Sequence, residues 1–108
     1  MKLGMIGLGK MGGNMAERLR RAGHTVVGYD AFSLATEVQT LEELAGALAG
    51  DGPRVAWVMV PAGDPTEQTV TDLAALSEPG DLVIEGGHSN RHDSVRRGAA
   101  LAEQGIHF

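Results

Sequence analysis

A chain of 108 residues has room for one compact domain, so 1–108 is read as a single domain. Its 43% hydrophobic and 21% charged residues form an ordinary globular balance, which excludes wholesale disorder. A formal charge of -5 with nine scattered Lys and Arg presents no basic face to a polyanion, so no nucleic-acid partner is expected.

The absence of cysteine rules out a disulfide framework or a thiolate metal site; no metal is expected, and a reducing cytoplasm fits. The apolar stretch Leu3 to Leu8 is broken by glycines and too short to span a bilayer, so no membrane partner is expected either.

The first apolar run, Lys2 to Ile6, reads as a strand. Met11 to Ala22 follows as a helix, with Met11, Met15 and Leu19 on one side, Arg18 and Arg21 on the other, and Gly23 where a C-terminal cap belongs. Thr25 to Tyr29 is the second strand. Thr40 and Glu43 form a capping box for a helix reaching about Ala49. Arg54 to Val60 is the third main strand. Asp64 and Pro65 open a helix to Ser77, and Pro79-Gly80 turns the chain into the strand Leu82 to Glu85. A last helix, Arg91 to Gln104, ends at Gly105, and Ile106 to Phe108 begins another strand. That terminal strand offers an edge for self-association.

The strands are apolar on consecutive positions, as parallel strands covered on both faces are. The expected fold is therefore α/β, a Rossmann-like parallel sheet with helices on both faces and a ligand crevice at the carboxyl ends of the strands. One crossover is shortened. Only about ten residues, Ala31 to Thr40, lie between the second strand and the capping box, fewer than a helical crossover needs. A vestigial helix with Ala35 to Val38 as a poor edge strand is the favoured reading.

Gly7-Leu8-Gly9-Lys10-Met11-Gly12 matches G-x-G-x-x-G between a strand and a helix, where unpaired amides can meet a pyrophosphate. Gly7 permits the tight turn, Gly9 lets the anion approach and Gly12 lets the helix pack closely. A strand-to-helix turn without a ligand would use glycine too, and Lys10 reads as a solvated charge beside the loop. Asp30 ends the second strand, where a carboxylate accepts hydrogen bonds from a ribose; a turn-capping aspartate is the plainer alternative. No Lys or Arg lies between Arg21 and Arg54 to neutralise a 2′-phosphate, which favours NAD over NADP. Phe32 lines an adenine pocket or anchors the loop.

Pro61 to Pro65 form a small-residue loop after the strand, where a nicotinamide ribose could lie against Val60, Pro61 and Ala62, although a simple connection explains the loop as well. Gly86 to Asn90 makes a second such loop, in which Gly87, His88 and Ser89 are candidate substrate contacts. His24, His92 and His107 are too dispersed for a metal set. Met5, Met11, Met15, Met59 and Trp57 read as core, and Arg96 and Arg97 as a helix face.

Three segments, Met5-Ile-Gly-Leu-Gly-Lys-Met-Gly-Gly-Asn14, Val58-Met-Val-Pro-Ala-Gly63 and Glu85-Gly-Gly-His-Ser89, resemble the N-terminal domain of decarboxylating 6-phosphogluconate dehydrogenase in its shorter bacterial form. The 3-hydroxyacid dehydrogenases are a more distant likeness. The resemblance implies oxidation of the 3-hydroxyl of 6-phosphogluconate by NAD(P), then decarboxylation to ribulose 5-phosphate. It implies Gly7 to Gly12, Asp30 and Val60 to Ala62 as coenzyme residues.

The family's lysine base and glutamate acid lie downstream, in or next to a helical dimerising domain. No catalytic residue is therefore expected here, and the chain alone should bind coenzyme without turnover. A sugar phosphate is expected as a partner only with that C-terminal domain. The sequence departs from the family pattern at His88, where asparagine is usual, and after Asp30, where about ten residues are missing. A non-catalytic nucleotide-binding or partner-docking module is the alternative, and a flavin or methyl-donor site a more remote one.

Overall fold

The computed structural model describes residues 2–50, 52–60, 64–86 and 91–108, with the backbone alone described at 64–65 and 91–94. Strands β1 (Lys2–Ile6), β2 (Thr25–Tyr29), β3 (Val55–Val58) and β4 (Leu82–Glu85) alternate with helices α1 (Lys10–Arg21), α2 (Leu41–Leu48), α3 (Asp64–Leu76) and α4 (Arg91–Glu103). All strand pairs are parallel, in the order β2-β1-β3-β4. The register aligns Ile6 with Tyr29 and Val58, and Val58 with Glu85, so the four carboxyl ends form one row.

Helices cover both faces, unequally. Ala16, Met15 and Leu19 of α1 pack with Leu3, Met5 and Val26 on one face. On the other, Leu44 and Leu48 of α2, Val70 and Leu73 of α3 and Leu101 of α4 pack with Ile6, Ala56, Val58 and Val83. Met5 and Leu44 are fully buried, each contributing about 1.5–3 kcal/mol. Gly4 lets α2 lie directly on β1, since a Cβ there would be 3.0 Å from a Leu48 methyl.

The helix ends follow the sequence closely. Thr40 Oγ1 accepts from the Glu43 amide at 3.1 Å and Glu43 Oε2 accepts from the Gln39 amide at 2.8 Å, a reciprocal cap. Helix α1 ends in Arg18, Arg20 and Arg21, which suit its negative pole, before Gly23 at φ +94. The side chain of Asp64, expected as a cap for α3, lies outside the described residues.

The segment 31–40 is not an edge strand; its backbone runs as turns and bends. Side chains do the edge's work instead. Gly28 donates to Glu37 Oε1 at 3.0 Å while its carbonyl accepts from the Glu37 amide at 2.9 Å. The Asp30 amide donates to Thr36 Oγ1 at 3.0 Å, and Arg20 Nη2 donates to the Val26 carbonyl at 3.1 Å and pairs with Glu37. Ten residues are too few for a helix and a strand, but enough for a carboxylate and a hydroxyl to meet backbone groups that an edge strand would leave open. At the sheet's other side, Val83 donates to the His107 carbonyl and His107 to the Asp81 carbonyl, so 106–108 begins beside β4 as expected.

Candidate functional site

A cleft of about 840 Å³ runs along the row of strand carboxyl ends. The residue after each strand lines it: Gly7 after β1, Asp30 after β2, Met59 after β3 and Gly86 after β4. Parallel strands joined by right-handed crossovers create this mouth where the winding reverses, between β1 and β3.

At its centre the chain turns from β1 into α1. Gly7 sits at φ +95 and donates to the Tyr29 carbonyl at 2.9 Å, and a Cβ there would lie 2.5 Å from the Met59 carbonyl oxygen. A Cβ at Gly12 would collide with the Gly7 carbonyl oxygen, so the helix lies against the turn. Gly9, the N-cap of α1, faces open space. No side chain caps the helix, and its first turn carries no acid, leaving its positive pole free for an anion. Lys10 and Met11 line the same mouth, and Lys10 is the one cation among the described lining residues.

Leu8 faces elsewhere. Its side chain packs over Gly28, and its amide donates to Asp30 Oδ2 at 2.8 Å. Asp30 Oδ1 accepts from the Phe32 amide at 2.9 Å. The carboxylate thus ties the glycine turn to the end of β2 while lining the cleft, and each oxygen keeps acceptor capacity for a further donor. Capping and ligand binding, alternatives on the sequence, are compatible at this residue. Phe32 is fully exposed at the mouth, so it does not anchor the loop.

Val60 lines the floor with Met59 and Gly86. Pro61, Ala62, Gly87, His88 and Ser89 lie outside the described residues. A wall missed by the sequence reading is formed by Gln68, Thr69 and Asp72 of α3, where Gln68 Nε2 donates to Asp72 Oδ1 at 2.9 Å. The spacing of those three polar residues on one helical face was the available signal.

Behind that wall the helix-face reading of Arg97 is overturned. Arg97 is 4% exposed, with Nη1 3.2 and 3.1 Å from the two oxygens of Glu85 and Nε bonded to Glu67. Arg96 is the exposed neighbour, making a two-pronged pair with Glu67 at 2.9 and 3.1 Å. Hydrogen bonds from Arg96 and then Arg97 hold the Glu67 carboxyl at about 2. Burial works against the charge on Arg97, but Glu67 and Glu85 more than offset it and keep the guanidinium protonated.

A family model described as the NAD binding domain of 6-phosphogluconate dehydrogenase matches residues 2–108. The chain belongs to this family. The NAD(+)-dependent, decarboxylating 6-phosphogluconate dehydrogenase of Haloferax volcanii is 41% identical over 94% of this chain and 36% of its own length. The decarboxylating 6-phosphogluconate dehydrogenase of Lactococcus lactis is 36% identical over 97% of the chain and 25% of its own length. That alignment has 118 positions against 108 residues, so the relative carries at least ten with no counterpart in this 6-phosphogluconate dehydrogenase-type domain.

Among solved structures, 3-hydroxyisobutyrate dehydrogenase of Mycobacterium tuberculosis is similar at TM-score 0.79 and 27% identity, over 98% of this chain and 38% of that one. The domain is thus an NAD-binding domain of the 6-phosphogluconate dehydrogenase family with the fold seen in a 3-hydroxyisobutyrate dehydrogenase, and it spans well under half the length of these relatives. Among the described residues no helix is long and apolar enough to cross a membrane.

Proposed function

We propose that the cleft binds NAD in preference to NADP, as the coenzyme end of a cytoplasmic oxidoreductase acting on 6-phosphogluconate. The observation that carries this is the bare amino end of α1 behind Gly9, with Asp30 beside it. The pyrophosphate meets amides of the Gly7 to Gly12 turn and the pole of α1. The adenosine ribose donates its hydroxyls to Asp30, and the second nucleotide crosses β3 toward Val60 and, by the resemblance, Pro61 and Ala62. The cradle fits: a Cβ at Gly7 or Gly12 would meet backbone, while Gly9 leaves the approach open.

Two features support NAD. A 2′-phosphate would meet the Asp30 carboxylate as a like charge, and Arg20, which bonds along β2, is committed to Glu37 and the Val26 carbonyl. When bound, NAD supplies a hydride acceptor; the chain's own residues orient it and hold its phosphates. The names of the Haloferax and Lactococcus relatives support oxidation and decarboxylation of 6-phosphogluconate as the reaction served. The chain corresponds to 36% and 25% of those two relatives, respectively, and these 108 residues are proposed to bind coenzyme without turnover. Gly87, His88 and Ser89 are proposed to reach the sugar phosphate only when a catalytic domain is present.

Calorimetric titration of the chain with NADH and NADPH tests the reading. NADH is expected to bind at least about tenfold more tightly than NADPH, the scale of one unfavourable charge contact. No heat from NADH up to the low-millimolar range overturns it.

A further inference from the structure

We propose that Arg97 is a positioning residue for the nicotinamide half of the cleft, a role that rests on the coenzyme reading above. With the adenosine ribose at Asp30 after β2 and the pyrophosphate over β1, the second nucleotide lies across β3 and β4. At that end Gly86 forms floor and Gln68, Thr69 and Asp72 form wall.

One guanidinium governs both surfaces. Glu85, the residue before Gly86, is held through Nη1 of Arg97, and Glu67, the residue before Gln68, through Nε. Gly86 is packed so tightly on Trp57 and Met59 that a Cβ would overlap both, so a shift at the end of β4 passes directly to the cleft floor. The adenosine half shares none of these contacts; it is set by the Asp30 carboxylate and the amides of Leu8 and Phe32 that donate to it.

Burial argues for geometry over stability. Arg97 and the Glu85 side chain are 4% and 5% exposed, and at such depth the cost of desolvating both ions offsets much of their attraction. A guanidinium fork does fix direction, because its donors are coplanar and rigid, where an ammonium would be a single mobile point charge. Arg97→Lys therefore keeps the charge and loses the simultaneous hold on floor and wall.

The test compares two ligands on the same protein: NADH, and ADP-ribose, which has the adenosine and both phosphates without nicotinamide. In Arg97→Lys, NADH affinity is expected to fall about tenfold, the scale of one charge-assisted hydrogen bond, and ADP-ribose affinity less than about twofold. Glu67→Gln, which leaves the buried Arg97–Glu85 pair intact, is expected to give the same split at about threefold, and it decides the matter if the lysine variant does not fold. Equal losses for both ligands, or no loss for either, overturn the proposal, as does a wild-type chain that binds NADH no better than ADP-ribose. A wild-type chain that ignores both ligands overturns the coenzyme reading itself.

Discussion

The sheet carries an arginine–carboxylate knot at each end of its strands, and the two are built differently. At the amino edge, Asp81 accepts from the amides of Arg54 and Glu78, both at 2.8 Å, and from Arg54 Nε at 3.0 Å, while Arg54 Nη2 reaches the Leu76 carbonyl at 2.8 Å. Those partners are mostly backbone, and they close the turn between α3 and β4 onto the start of β3. Burial opposes the charge on Asp81, but the two amides and Arg54 together hold its carboxyl below the usual range. At the carboxyl edge, Arg97 instead bonds two carboxylates, each next to a residue lining the cleft. A knot tied to backbone holds the fold; a knot tied to the flanks of a site holds the site.

The sharpest break in that comparison is Asp81→Ala. It leaves a partly exposed guanidinium and two amides without their buried carboxylate, so unfolding free energy should drop by about 3 kcal/mol in a denaturant titration. NADH affinity of the folded protein should stay within about twofold, since Asp81 touches no part of the cleft. A variant that keeps its stability and loses coenzyme would reverse the assignment of the two edges.

A smaller contrast lies within the glycine turn. Gly12→Ala puts a methyl into the Gly7 carbonyl and should cost about 1–3 kcal/mol of stability along with binding. Gly9→Ala meets nothing within 4 Å, and its φ of -66 suits alanine. Its stability should change by no more than about 1 kcal/mol, the loss of a favourable N-cap residue, while NADH binding weakens about tenfold because the methyl stands in the anion's approach. Thermal unfolding beside calorimetry separates the two.

The four strands, the four helices and the glycine turn were legible because each rests on local pattern: apolar runs of strand length, the Thr40–Glu43 cap, glycines at turns. What was not legible depends on partners distant in sequence. Arg97 looked like its exposed neighbour Arg96, and only the approach of Glu85 and Glu67, 12 and 30 residues away, buries it. The cover of β2 by Glu37 and Thr36 has no periodicity, since it is made by individual side chains answering individual backbone groups. The sequence sets capping and ligand binding at Asp30 as rivals, whereas a carboxylate has acceptor sites enough for both.

The smallest expected effect tests the outer member of the carboxyl-edge knot through pH. Glu67 has its carboxyl lowered from 4.5 to about 2 in the folded chain, so the unfolded chain binds the proton more readily. Its contribution to stability is therefore complete above about pH 4.5 and is lost as pH falls through about 2. Glu67→Gln removes that titration, and between those values its stability should fall less steeply with acid than the wild type's. With the Glu67 side chain 38% exposed, water screens the pair, so the difference should be modest and should shrink further in salt. Parallel acid-unfolding curves for the two proteins would mean that Glu67 meets its arginines too loosely in solution to anchor the wall of the cleft.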